Sequence, residues 1–300
     1  MAVELSADVA RAAELRVRRG PGIWRSLALS KKATVGLTMT GVVLVLAVAA
    51  PILSPYDPAK VQTGPFFAPP SLAHPLGTDN LGRDVFSRIV WGSRISLAAG
   101  LFVSAGALLI GVPLGILAGY FGRAVDGIVM RAMDVLFAFP SVLMALFLAA
   151  IIGRGMQTVL LALILANTPT VARLARSVAL SVREREYVQA ARAIGQRADG
   201  IMLRHILPNC LAPIVVQASL VMSYAILAEA AISYLGLGTQ SPEFSWGLML
   251  SDSSDFMFIA PRLAIWPGLS IMFVVFAFNF LGDGLRDVLD PRQRAVLAER

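Results

Sequence analysis

Six stretches of this chain, residues 33–56, 95–122, 135–153, 155–172, 206–228 and 263–282, are apolar and uncharged. Each has about the 18 or more residues that a helix needs to cross roughly 30 Å of hydrocarbon. Lipid offers no partner to an unpaired backbone group, so such runs must close their own hydrogen bonds as helices. They lack the alternation and turn spacing of a membrane barrel. Only 15% of residues are charged, against about a quarter in soluble domains. The expected fold is an all-α membrane protein of six transmembrane helices.

Lys and Arg set the orientation. With the N-terminus placed in the cytoplasm, segments 1–32, 119–133, 173–210 and 286–300 hold 7, 2, 7 and 4 basic residues, 20 of the chain's 26. Lys60, Arg83, Arg88, Arg94, Arg154 and Arg262 fall on the other side. The bias puts both termini in the cytoplasm. It also accounts for the net charge of +7 through topology and anionic lipid, without nucleic acid, since no basic face with interleaved aromatics is present. Ala47-Val48-Ala49 resembles a cleavage site. The polar region before it and the apolar core around it are both too long for a signal peptide, so this run reads as a retained anchor. The single cysteine, Cys210, leaves no internal disulfide and no metal site.

The chain divides into a cytoplasmic tail (1–32), an anchor helix (33–56), an outer segment (57–92), a five-helix core (93–290) and a short tail (291–300). Residues Ile23-Trp24 to Leu29 suggest an interfacial helix. Asp79, Arg83, Asp84 and Arg88 alternate with Val85, Phe86, Ile89, Val90 and Trp91, a spacing that predicts a short amphipathic helix on the outer surface. Gly111, Gly115 and Gly119 recur every four residues and form a small-residue face for close helix contact, with a smooth passage wall as the alternative. Arg131 and Asp134 are spaced to pair across one turn. Arg173 and Arg176 close the fourth span. Pro113, Pro140, Pro169 and Pro267 mark span irregularities. Residues 238–261 form an outer loop in which Ser241-Pro242 predicts the start of a re-entrant or capping helix bearing Trp246 at the outer mouth. Glu229 is the one acid deep in an apolar run. It either meets a substrate amine or bonds a neighbouring helix near Ser233 or Tyr224, and the second reading is favoured.

Between spans four and five lies a polar segment, 184–208, that is long for mere filler. Glu186, Gln189, Ala190, Ala191, Arg192 and Ala193 favour helix, and Gly195 ends it. Residues 198–207 predict a second short helix, stopped by Pro208 at the start of span five. Ala190 and Ala191 present little side chain, so a partner's groove can close on them. Tyr187 and Val188 supply apolar anchors, and the Glu and Arg residues set orientation. This is the pattern of a helix docking in a groove.

The segment EYVQAARAIGQRADGIMLRHILPN (186–209) resembles the coupling loop of permease subunits in ABC-type importers. Residues 93–290 match that family in the order of spans and loops. The N-terminal anchor, LGTDNLGRDVFSRI (76–89), the GLG at 236–238 and SWGLML at 245–250 resemble, more narrowly, the C-type permease of dipeptide, oligopeptide and nickel importers. Gln189 stands where the family pattern opens with Glu, and His205 where an apolar residue is usual. The resemblance implies a multi-pass subunit of the bacterial inner (plasma) membrane that is not itself an enzyme. It implies a second homologous permease, two cytoplasmic ATPases that bind ATP and Mg, an extracytoplasmic binding protein and a peptide cargo. The ATPases would pull on Glu186, Tyr187, Gln189, Ala190, Ala191, Gly195 and Pro208. Swinging the passage from 1:99 to 99:1 takes roughly 5.5 kcal/mol of bias.

No GxxxxGK[ST] run occurs in the sequence, so ATP binding would belong to another polypeptide. His74 and His205 are isolated, and neither has ligand spacing. Nickel or another small solute is the alternative cargo. A self-contained secondary transporter or channel is the rival class, but a lone Glu229 is thin for a proton relay. A scaffold without a passage is the third reading.

Overall fold

The computed structural model describes Leu27, residues 30–240 and residues 243–289. The interfacial helix expected through Ile23-Trp24 to Leu29 falls mostly outside the described residues, as do Ser241-Pro242 and the tail 291–300. Among the described residues all extended regular structure is helical, with one isolated bridge between Thr78 and Asp84.

Helix α1 (Lys31–Val48) opens on Ser30, whose hydroxyl accepts the Ala33 N–H at 3.3 Å, an ordinary N-cap. A bend at Ala49 leads to a single turn, α2 (Ala50–Leu53). After an irregular segment come α3 (Val85–Phe121), α4 (Arg123–Phe137), α5 (Ser141–Ile152), α6 (Met156–Arg183) and the short α7 (Glu186–Ala193). The chain ends with α8 (Ala198–Tyr234), α9 (Trp246–Ser253) and α10 (Arg262–Leu289). α1, α3, α6, α8 and α10 are long and apolar enough to span a bilayer, and the pair α4–α5 makes a sixth candidate.

Two apolar clusters hold these helices together. One joins Val103 and Ala107 of α3 to Leu163 and Ala175 of α6, Val188 of α7 and Val221 of α8. The other joins Val43 of α1, Val85 and Leu97 of α3, Ile226 of α8, Trp246 of α9 and Phe278 of α10. α3 and α8 belong to both and form the spine. The anchor α1 lies along α10. A Cβ on Gly36 would come 2.6 Å from the Phe280 carbonyl carbon, and one on Gly284 would come 2.7 Å from Ala33 Cβ.

Four sequence expectations need correction. The third run, 135–153, is not one straight span. It straddles the junction of α4 and α5, which meet at 87°. Pro140 occupies the N-cap of α5 and has no N–H to continue α4, and the residue before a proline is pushed out of the helical region. The helices run unbroken through Pro113, Pro169 and Pro267.

No separate amphipathic helix precedes span two. Asp84 caps α3 by accepting the Ser87 N–H at 2.7 Å, and α3 then continues to Phe121. Asp79 and Arg83 do meet, at 2.6 Å, but across a turn in which Asp79 Oδ1 accepts the N–H groups of Leu81 and Arg83 at 2.9 Å each. Gly77 and Gly82, at φ +82° and +69°, let the chain make this turn.

Pro208 does not stop a helix either. The turn Ala198–Ile201 runs through a π-helical stretch, Met202–Ile206, into Leu207–Tyr234. The wider turn gives Leu207 N–H the Met202 carbonyl and accommodates the proline without breaking the helix. Lastly, Asp134 pairs with Arg173 at 2.8 Å rather than with Arg131, because α6 passes beside α4.

Candidate functional site

The polar connection between α6 and α8 is organised around α7. Gly195, at φ +81°, ends the helix. Its N–H reaches the Arg192 carbonyl at 3.1 Å, and the Gln196 N–H reaches the Ala191 carbonyl at 3.0 Å. This paired reversal is the Schellman arrangement, which favours glycine at that position. Beyond it, His205 Nε2 lies 3.1 Å from Gln196 Oε1, and Asn209 donates to the Tyr187 hydroxyl at 3.3 Å. The Arg192 guanidinium sits 5.1 Å over the Tyr120 ring, near the end of α3.

The two faces of α7 differ from the sequence reading. Val188 is fully buried and Ala191 nearly so, both in the cluster that contains Val182, Ile201 and Ile206. They pack against the chain's own helices. Glu186, Gln189, Ala190 and Ala193 are exposed, and Tyr187 is half-exposed. Ile194 is also exposed, at 84%. Its signal was spacing: Tyr187, Ala190 and Ile194 follow one another by three and four residues along one flank. Glu186, Tyr187, Gln189, Ala190, Ala191 and Gly195 are thus brought together in one element. Pro208 stands apart, in the first turn of the α-helical stretch Leu207–Tyr234, at the start of the fifth span as expected.

Gly111, Gly115 and Gly119 face α6. A Cβ on Gly111 would come 2.9 Å from the Thr168 carbonyl oxygen, and one on Gly119 would come 2.7 Å from Ala179 Cβ. Arg183 of α6 then donates to the Gly119 carbonyl at 2.8 Å. The seam ends near α7, where Arg192 sits over Tyr120 of α3.

Glu229 is fully buried. Its Oε1 accepts the Ser233 hydroxyl at 2.8 Å, and the Ser245 hydroxyl faces the same carboxyl group. Its Oε2 has no partner among the described residues. Ser233 Oγ also accepts the Thr239 N–H at 3.3 Å. A Cβ on Gly238 would lie 3.0 Å from Ser233 Cα, and one on Gly247 would lie 2.6 Å from Ala230 Cα. The carboxyl group therefore sits at the junction of α8, the following loop and α9. Tyr224 bonds Ser141 at 3.0 Å instead.

α9 begins at Ser245, whose hydroxyl accepts the Leu248 N–H at 3.3 Å. This is four residues later than Ser241 would place it. Trp246 is buried, with its indole N–H donated to the Ile89 carbonyl at 3.0 Å. It wedges α9 against α3 and does not line an open mouth. Arg83 and Arg88 tie Asp252 of α9 to Asp79 of the irregular segment, and His74 pairs with Asp84 at 2.9 Å.

Known proteins give this arrangement a context. Residues 111–295 match the family described as binding-protein-dependent transport system inner membrane component, and residues 22–73 match the N-terminal TM domain of oligopeptide transport permease C. The dipeptide transport system permease protein DppC of Alkalihalophilus pseudofirmus is 45% identical over 91% of this chain and 90% of its own length. The glutathione transport system permease protein GsiD of Pectobacterium atrosepticum is 46% identical over 85% of each. DppC of Escherichia coli is 46% identical over 90% of this chain and 92% of its own. Among solved structures, an inward-facing MetNI methionine ABC transporter superposes with a TM-score of 0.56 at 18% identity, covering 68% of this chain and 97% of that one.

Proposed function

Since the chain belongs to the family of inner-membrane components of binding-protein-dependent transport systems, and is thus a multi-pass ABC-importer permease, we propose that its cargo is a short peptide and that α7 is the handle by which separate ATPases drive it. The observation that carries the reading is the division of α7. Val188 and Ala191 are sunk among the chain's own helices, while Tyr187, Ala190 and Ile194 stay exposed. A groove that closes on the exposed flank pulls α6 and α8 as rigid levers through the buried one. Glu186 and Gln189 supply polar orientation, and Gly195 fixes where the handle ends.

In this scheme the N- and C-termini and α7 are cytoplasmic, and residues 57–84 with α9 face the binding protein. A second permease completes the passage, and two ATPases hold ATP and Mg. Peptide cargo is supported by the relatives, whose names specify dipeptide and glutathione transport. Glu229 serves to hold α9 on α8, because its carboxyl group is enclosed there. The test is reconstitution with a sister permease, the ATPase pair and a binding protein. Uptake of labelled Ala-Ala is expected to require ATP and the binding protein. Equal uptake by the purified chain alone, without nucleotide, overturns the proposal in favour of a self-contained transporter. Uptake of nickel in preference to Ala-Ala overturns the cargo.

A further inference from the structure

Asn167, Thr170, Gln217 and Tyr224 line a recess of about 320 Å³ between α6 and α8, together with Phe137, Ala166, Leu220 and Val221. Asn167 and Gln217 stand near the middle of their helices, at the depth where lipid would surround an exposed side chain. Asn167 is 8% exposed. Its Nδ2 donates to the Leu163 carbonyl at 2.8 Å, which leaves its Oδ1 without a partner among the described residues. Gln217 and Thr170 likewise have no side-chain partner among them. An amide left unpaired in hydrocarbon costs several kcal/mol, so this face meets either water or another polar surface.

The backbone supports the same conclusion independently. The break between α4 and α5 at residues 138–140 is exposed, and it lies beside the recess. Ser141, the first residue of α5, bonds Tyr224, which stands about 15 Å from the Tyr234 end of α8 at 1.5 Å per residue. The break is therefore deep within the span. Irregular backbone at that depth is tolerated only where protein buries it or a water-filled cavity borders it.

We propose that this recess is the chain's wall of the passage, and that its amides and hydroxyls meet the backbone of a short peptide through uncharged hydrogen bonds. The proposal rests on the peptide-importer reading above. Neutral groups that donate and accept suit an amide backbone whatever its side chains. They also bind weakly enough for release, since a neutral hydrogen bond adds little net free energy in exchange with water. Arg173, stacked at 4.4 Å on Phe137 of the lining, is already paired with Asp134. The lining has no carboxylate, imidazole or thiol to hold a metal ion.

The experiment uses the assembled complex in vesicles. Thr170→Cys and Gln217→Cys are treated with a water-soluble cationic thiosulfonate, with and without ATP, beside Leu109→Cys on an apolar face that is 76% exposed. The parent, whose Cys210 is buried, sets the background. Both recess positions are expected to react severalfold faster than Leu109→Cys, and excess Ala-Ala during turnover to slow them. Gln217→Leu is expected to lower Ala-Ala uptake about five- to tenfold at unchanged complex abundance. A complex that imports Ala-Ala while both positions react no faster than Leu109→Cys overturns the wall and spares the importer reading. Unchanged uptake by Gln217→Leu overturns the hydrogen-bonding role. A complex whose recess reacts but which imports no Ala-Ala overturns the peptide assignment and the cargo reading together.

Discussion

Gly115 lies so close to Ala172 that a Cβ on the glycine would run into the alanine's carbonyl oxygen and come 2.8 Å from Ala175 Cβ. The obstacle is helix backbone, which has no rotamer to move. In a bilayer, helices gain little from excluding water, so such close approach is what binds them. Gly115→Val is expected to destabilise the chain by about 1–3 kcal/mol through forced separation of α3 from α6. A Cβ on Gly127 of α4 would have nothing within 4 Å, and Gly127→Ala is expected to be neutral or mildly stabilising. Thermal unfolding of the two variants in one detergent measures the contrast. Equal midpoints would remove the seam from the account.

Ala190 and Ala191 are neighbours with opposite duties. Ala191 is 7% exposed and sits in the apolar cluster, whereas Ala190 is exposed. Ala190→Arg is expected to leave the isolated chain's unfolding midpoint unchanged and to weaken retention of the ATPases by about 2 kcal/mol, roughly thirtyfold. Ala191→Arg is expected to lower the midpoint of the isolated chain, because it drives a charge into the cluster. Midpoints and ATPase co-purification, measured on both variants, separate docking from packing. Loss of the midpoint by both would mean that α7 has no free face.

Gly238 and Glu229 make a second contrast. Gly238→Ala would press a methyl group onto Ser233 and is expected to loosen α9. This should appear as faster proteolysis of the loop before α9 and a midpoint lowered by about 1–3 kcal/mol. Glu229→Gln keeps the shape and the carbonyl oxygen that can accept the Ser233 hydroxyl. It is expected to retain uptake of both Ala-Ala and a lysine-containing dipeptide. Selective loss of the lysine peptide would instead make Glu229 a substrate contact.

The spans were legible because hydropathy over 18 or more residues reports burial in lipid whatever the packing. Its direction is not reported. The run 135–153 reads as apolar on both sides of Pro140, although the chain turns by 87° there. Pro113, Pro169, Pro213 and Pro267 leave their helices intact, so the residue type alone could not single out the break. Asp79, Arg83 and Arg88 showed helical spacing, yet the ion pairs form across a glycine-bearing turn. Spacing of four residues fits both geometries. α7 was legible from its alanines and from Gly195, whose positive φ is a local demand. Which alanine stays exposed was not, because the register against Val182 and Ile206 is set by tertiary packing. Asn167 and Gln217 carry no charge, so nothing in their apolar runs marks them.

Asp79 is the centre of the ion cluster that fastens α9 to the irregular segment. Its Oδ2 lies 2.6 Å from both Arg83 Nε and Arg88 Nη1, with Asp79 side-chain exposure of 8% and Arg88 of 3%. Asp252 meets the same two arginines at 3.3 and 3.4 Å but is 36% exposed. The Arg88 Nε has no partner among the described residues, which offer no spare acceptor to a stranded guanidinium. Removing one member of a buried pair costs about 3–5 kcal/mol, while an exposed member contributes about 0–1 kcal/mol. Asp79→Ala is therefore expected to lower the unfolding midpoint sharply and Asp252→Ala only slightly. Arg88→Met in the Asp79→Ala background should recover part of the loss, because it removes the uncompensated charge. Three midpoints in the same detergent decide it, and a double variant no more stable than Asp79→Ala alone would show that the harm comes from the broken turn at Leu81 and Arg83 instead.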